Sequence, residues 1–359
     1  MSHLLETLGL PPFQQRFPWL GPDLQTLRNT LRASNKTPLE TGQTLEFALP
    51  GGDRLLARLD PPGLAPPKGL VVVVHGLGGN SDDEGQRRLG RALRHSNLAA
   101  LRLNLRGAGP GRVVAKGTYA ASCTADLLPA LRECRTLAAQ LTPGGGALPL
   151  AAVGLSLGGT VLLNALLATD PQAPPLLDAL VCVSSPLDLS SCADRFERPR
   201  NWIYQSWLVR RLIKQTLADP YGLLERERQG LRGPSRPFTI RGFDALITAP
   251  RWGFPGVMAY YDACSPLRRL QQVLHRLPPL LLVHAKDDPW VPVDAALSLA
   301  ETIRVMERKG GVSAGLLPEV AITARGGHNG FHAPGDSPDG CWSDRLAARW
   351  LASRLSTWF

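Results

Sequence analysis

Five short runs recur along the chain in which nearly every residue is apolar: "GLVVVVHG" at 69–76, "NLAALRLNLRG" at 97–107, "LPLAAVGLS" ending at Ser156, "DALVCVSSP" at 178–186 and "PPLLLVHAKDDP" at 278–289. A strand that is apolar on both sides must be covered on both faces, and the segments between these runs have the helical period needed to cover it. Helices are expected from about Glu84, over 119–141, from Gly159, from about Val293, and over 343–358, with a further strand near 317–323. The pattern specifies an α/β fold with a mostly parallel central sheet. Ahead of it, "TLEFALP" and "RLLARLD" alternate apolar and polar residues about Gly51-Gly52-Asp53, the signature of an N-terminal antiparallel hairpin. The rhythm breaks after Ser185 and resumes at Pro278. Residues 186–277, rich in aromatic, Arg and Pro residues, are therefore expected to be a helical cap or lid inserted into a core made of 1–185 and 278–359. Gly144-Gly145-Gly146 reads as a loop within that core.

With 359 residues and 44% hydrophobic content the chain can bury a large core, which excludes a disordered protein. Forty Lys and Arg against 30 Asp and Glu give a formal charge of +10, compatible with a polyanionic partner, an anionic membrane surface or a basic soluble surface. Six cysteines without a C-x-x-C pair read as free thiols of a reducing compartment. The segment MSHLLETLGLPPFQQRF lacks a cationic lead and is interrupted by Pro11-Pro12, which makes it a poor signal peptide. No apolar run reaches the roughly 18 residues of a spanning helix. A cytoplasmic location is expected.

Three groups fall where strands end, the place at which open α/β sheets bind ligands. Ser156 sits in Gly154-Leu155-Ser156-Leu157-Gly158, between a buried strand and a helix, where small neighbours allow a tight turn and access to the hydroxyl. Asp287 and Asp288 follow the run at 280–283; a carboxylate there can orient an imidazole, and Asp288, four before Pro292, is preferred over Asp287. His328, in "ARGGHNGFH" after the last strand, lies on a glycine-rich loop suited to a proton-shuttling imidazole, and His332 is the weaker candidate. The order Ser, Asp, His is that of the α/β-hydrolase fold. Backbone N–H groups of Leu77, in "VVVVHGLGG", and of Leu157 are the candidate oxyanion hole, while His75 is expected to hydrogen-bond locally. His328 and His332 lack a nearby third ligand, so no metal is expected.

These residues amount to a resemblance. The chain resembles the α/β-hydrolase superfamily and, within it, is similar to the YheT-like esterase family that includes the eukaryotic ABHD1/2/3-type membrane lipid hydrolases. The likeness runs through "PWLGPDLQTL", "HGLGG", "NLRGAG", "GLSLGG", "SSPLDLSSC", "FDALITAPRWGF", "YYDACSP", "AKDDPWVP" and "GGHNGF". It implies ester hydrolysis with Ser156 as nucleophile, His328 as general base and Asp288 as the acid that orients it, without a cofactor. Relatives more often carry Cys-Ser-Gly where this chain has Ala108-Gly109-Pro110. The N-terminal anchor of the eukaryotic relatives is not expected here.

The insertion is expected to set the substrate. "RFERPRNWIYQSWLVRRLIKQ" places Trp202, Ile203, Trp207, Val209, Leu212 and Ile213 among six basic residues. It reads first as an amphipathic cap helix with its apolar side toward the pocket or the core, and second as a surface that docks peripherally on anionic lipid; no nucleic-acid partner is expected. A carboxylic ester hydrolase for short- to medium-chain acyl esters follows, acting through an acyl-enzyme. The alternatives are an acyltransferase with the same triad and a non-catalytic binding protein on this fold.

Overall fold

The computed structural model describes residues 1–31, 42–60, 66–141, 147–170, 172–309, 317–337 and 340–356. The loop expected at Gly144–Gly146 lies outside these, as do the last two residues of the closing helix expected over 343–358. Eight strands form a single sheet: β1 (Gln43–Ala48), β2 (Arg54–Asp60), β3 (Leu70–Val74), β4 (Ala99–Leu103), β5 (Leu150–Leu155), β6 (Ala179–Val183), β7 (Leu280–Ala285) and β8 (Glu319–Thr323). Their spatial order is β1-β2-β4-β3-β5-β6-β7-β8. β1 and β2 form the expected hairpin, and β2 also runs antiparallel to β4; every other pairing is parallel.

Alternation along the buried strands divides the interior in two. Leu70, Val72 and Val74 of β3 pack on one side with Leu127, Leu131 and Leu162, which come from helices Thr124–Gln140 and Leu157–Leu167. Val71 and Val73 pack on the other with Leu89, Leu93, Trp342 and Leu351, from helices Glu84–His95 and Trp342–Leu355. Successive side chains of a strand point to opposite faces, so a run without polar residues needs two helical layers. Cys134 and Cys182 contribute to the first layer, and all six cysteines are unpaired.

Two elements are shorter than their apolar patterns suggest because tertiary bonds claim their backbone. The helix expected from residue 119 starts at Thr124: Tyr119 turns its hydroxyl to the loop after β3, and the Ala121 N–H donates to the Tyr260 hydroxyl. The strand expected over 97–107 covers only Ala99–Leu103, since the Leu105 N–H donates to the His75 ring.

The order of strand addition reverses at β3, which lies between β4 on one side and β5 on the other, and this opens a crevice at the strands' carboxyl ends. The chain between β6 and β7 crosses above it as a series of helices, among them Leu189–Phe196, Trp202–Leu217, Glu225–Arg232 and Val257–Cys264. Among the described residues no helix is long and apolar enough to cross a membrane.

Candidate active site

Ser156 occupies the one-residue turn between β5 and the helix Leu157–Leu167, with φ 53° and ψ −126°. This is a backbone region that L-residues rarely adopt, and it persists only where its surroundings enforce it. The Ser156 N–H is tied to the Val183 carbonyl at 2.8 Å, and the flanking glycines let strand and helix close up. A Cβ on Gly154 would collide with the backbone of Gly159, and one on Gly158 with the carbonyls of Val74 and His75. The serine side chain is thereby pushed into the crevice.

His328 reaches that serine from the loop that follows β8: its Nε2 lies 2.9 Å from Ser156 Oγ and its Nδ1 2.9 Å from Asp288 Oδ2. Of the two aspartates at the tip of β7, Asp288 is the one against the imidazole. Its other oxygen accepts the N–H groups of Trp290 and Val291 at 2.8 and 2.9 Å. Burial works to raise its pKa, but the imidazoles of His328 and His284 and these N–H donors outweigh burial and hold it below the usual carboxylate value. Asp287 points elsewhere and accepts the Gly327 N–H at 2.9 Å, so it fastens the loop that carries His328. Burial pushes the Asp287 carboxyl up.

The same loop is held at two further points. The His328 N–H donates to Thr26 Oγ1, on the helix Gly21–Leu31, and the Asn329 N–H donates to Ser184 Oγ. His332 is fully buried away from the crevice; its N–H donates to Gln25 Oε1, and its carbonyl accepts the Gln25 amide. Burial, with Arg88 and Arg28 nearby, pushes its pKa far down. It anchors the helix Gly21–Leu31 and does not meet Ser156.

Leu77 and Leu157 both line the cavity beside Ser156. Leu157 opens its helix, so its N–H has no intrahelical acceptor, and a helix start favours negative charge. The loop that bears Leu77 is braced from several sides. His75 is locked as a neutral ring, with Nδ1 2.8 Å from the Gly76 carbonyl and Nε2 accepting the Leu105 N–H at 3.1 Å, and burial lowers its pKa. The Tyr119 hydroxyl donates to the Gly76 carbonyl and accepts the Gly78 N–H. From the helix Trp202–Leu217, Arg211 and Gln215 both donate to the Gly78 carbonyl, at 2.7 and 2.8 Å.

The cavity above the serine has a volume of roughly 280 Å³, at the small end of ligand pockets, which span about 300–1,000 Å³. Its wall on the side of the helical segment is apolar, with Phe196, Leu208, Leu212, Ile240 and Phe243. Trp290 covers His328 with ring centroids 4.5 Å apart. A hydroxyl bonded to an imidazole that is in turn bonded to a buried carboxylate, with two backbone donors close by, can pass its proton to the ring while its oxygen attacks a carbonyl.

A model of the alpha/beta hydrolase family matches residues 71–344. The chain belongs to the alpha/beta hydrolase family. As such it is a hydrolase. It is 30% identical over 316 residues to YheT of Escherichia coli strain K12, whose name assigns that protein provisionally to the esterases; the match covers 86% of this chain and 84% of the relative. It is also 30% identical to the medium-chain fatty acid ethyl ester synthase/esterase 2 of Saccharomyces cerevisiae, over 65% of this chain and 54% of the yeast protein. The mouse phospholipase ABHD3 is 26% identical over 73% of this chain and 58% of its own length. The chain thus spans little more than half of those two relatives. Among solved structures, a Pyrococcus furiosus esterase superposes with a TM-score of 0.55 at 14% identity, covering 90% of this chain and 95% of the other. A Thermogutta terrifontis esterase with bound propionate gives 0.51 at 18%, covering 90% and 96%. At these identities the two structures speak for the fold alone.

Proposed function

We propose that this hydrolase cleaves carboxylic esters of short to medium acyl chain length through a Ser156–His328–Asp288 triad and an acyl-enzyme. The observation that carries the reading is the bridging imidazole of His328, 2.9 Å from both the serine oxygen and the carboxylate. His328 takes the Ser156 proton as Oγ attacks the acyl carbonyl, and the N–H groups of Leu77 and Leu157 receive the developing oxyanion. His328 then protonates the departing alcohol. Water, activated the same way, releases the acid and restores the serine. Asp288 fixes the ring with Nε2 free for the serine and stabilises the imidazolium. The small cavity with its apolar wall and the names of the Escherichia coli and yeast relatives support the substrate class.

In this reading residues 186–277 act as a cap over a core made of 1–185 and 278–359, since their helices supply the apolar wall. Trp202 and Ile203 are 66% and 74% exposed on the cap helix, which supports peripheral contact with a membrane surface from a cytoplasmic protein. The yeast relative's name, a synthase as well as an esterase, favours one second reading, in which an alcohol replaces water as acyl acceptor. Hydrolysis of p-nitrophenyl esters from acetate to palmitate, by the wild type and Ser156→Ala, tests the proposal. The expected result is a maximum at short to medium chains that the substitution abolishes; undiminished turnover by Ser156→Ala would refute the triad. The partition of product between acid and new ester with added ethanol decides between water and alcohol.

A further inference from the structure

Part of the cavity lining is polar, and two of its polar side chains carry atoms that the protein does not satisfy. Gln86, in the first turn of the helix Glu84–His95, is 2% exposed and lines the cavity, yet neither its amide nitrogen nor its amide oxygen has a partner among the described residues. Asn329, next to His328 and also lining the cavity, leaves its side-chain oxygen buried and unpartnered in the same way. A buried amide without a hydrogen bond is destabilising, and native proteins keep few of them. A ligand group that completes both would offset that cost.

The position of these groups identifies which part of an ester they meet. Asn329 is the residue after the imidazole that hands a proton to the leaving alcohol. Asn29, which lines the cavity with Gln86, belongs to the helix Gly21–Leu31 whose Thr26 accepts the His328 N–H. The charges beside them are already matched: Arg88 pairs with Asp344 and donates to Asn29 Oδ1, and Asp83 pairs with Arg211. Nothing there calls for a charged headgroup, whereas a primary amide and a carbonyl oxygen together ask for a group that both donates and accepts.

Resting on the ester-hydrolase reading, we infer that Gln86 and Asn329 form a subsite for an uncharged, hydroxyl-bearing alcohol portion of the substrate, such as a glycol or glycerol ester. Gln86 is its principal specificity-determining residue.

Binding to the Ser156→Ala protein tests the subsite without turnover, with ethyl hexanoate, 2-hydroxyethyl hexanoate and hexanoylcholine as probes. The hydroxyethyl ester should bind about tenfold more tightly than the ethyl ester, the worth of one or two hydrogen bonds, and more tightly than the cationic choline ester. Adding Gln86→Leu should erase that preference, so that the hydroxyethyl ester binds no more tightly than the ethyl ester. Because it removes an unpaired buried amide, Gln86→Leu should melt at or above the parent temperature; a fall of several degrees would show a structural role and count against the subsite. Equal affinities for the ethyl and hydroxyethyl esters in Ser156→Ala overturn the inference, whatever Gln86→Leu does. A retained preference with no hydrolysis of any of the esters by the wild type would overturn the ester-hydrolase reading and leave the subsite standing.

Discussion

The indole of Trp290 lies over the imidazole of His328, with centroids 4.5 Å apart and ring planes inclined by 32°. Phe196 and Tyr204 pack against the same indole at 5.6 and 5.4 Å, so the ring that covers His328 is itself held by the helical segment between β6 and β7. The contact covers one face of the imidazole, and a π face attracts a cation, so the indole can stabilise the imidazolium formed in the proposed reaction. Trp290→Ala should lower kcat for p-nitrophenyl butyrate by roughly tenfold and raise KM through loss of apolar wall, at the scale of 1–2 kcal/mol expected for a partly desolvated cation–π contact. Trp290→Phe should keep most of kcat. Equal losses in the two variants would mean that the indole serves only as packing.

Asp287 and Asp288 are neighbours with different tasks, which a pair of isosteric substitutions separates. Asp288→Asn keeps the shape but presents a donor where His328 Nδ1–H needs an acceptor, and a wrong tautomer in such a triad costs on the order of 10⁴ in kcat. Asp287→Asn retains an oxygen able to accept the Gly327 N–H and should cost less than about tenfold. The kcat values of the two variants, with melting temperatures to show that both fold, check the assignment; a greater loss in Asp287→Asn would reverse it.

The sheet could be read from the chain because burial on both faces leaves no polar residue in runs such as "LVVVV", and the turn at Ser156 because its glycines are forced by backbone contacts, Gly154 by Gly159 and Gly158 by Val74 and His75. Asp288 and His328 could be placed at strand ends and paired through the order Ser, Asp, His, but the contact geometry that joins them across 40 residues could not be read. What the sequence concealed are contacts without local period. Thr26 and His328 are 302 residues apart, and Tyr119 and Gly78 are 41 apart. Gln86 and Arg88 look like polar, solvent-facing helix positions, yet both are buried; for Arg88 the helices Gly21–Leu31 and Trp342–Leu355 supply the partners Asn29 and Asp344. Trp290 was within reach, two residues beyond Asp288, but an aromatic after a strand reads as core.

Arg211 and Gln215 share the Gly78 carbonyl, one residue beyond the Leu77 N–H proposed for the oxyanion. Arg211 is further fixed by Asp83 at 3.4 Å and by the Trp207 ring at 5.6 Å. Donors that stabilise a transition state must be held before the charge appears. Gln215→Ala combined with Arg211→Met should therefore reduce kcat by about tenfold to a hundredfold with a much smaller change in KM, less than the 10²–10³ that follows removal of one oxyanion donor outright. A change confined to KM would show that the helix shapes the pocket without positioning the loop.

Asp244 lies in the cavity wall with both oxygens engaged, one by the Thr248 hydroxyl at 2.7 Å and the other by the Tyr261 hydroxyl at 2.9 Å. Burial raises its pKa to about 6, although both hydroxyls act to lower it. Between about pH 4 and 6 the folded state holds a proton that the unfolded chain, with a carboxyl near 3.9, has released; stability contributed by this group therefore falls as pH rises through that window. Below it both states are protonated and the group contributes nothing. Above pH 6 the full penalty applies, on the order of 3 kcal/mol for a shift of about two units. Asp244→Asn has no proton to release, and its amide can still engage both hydroxyls. Urea denaturation should show the variant more stable than the wild type at pH 8, with the difference shrinking toward pH 4.5. A difference independent of pH would mean that the carboxyl is ionised in the folded protein throughout, held by Thr248 and Tyr261 against its burial.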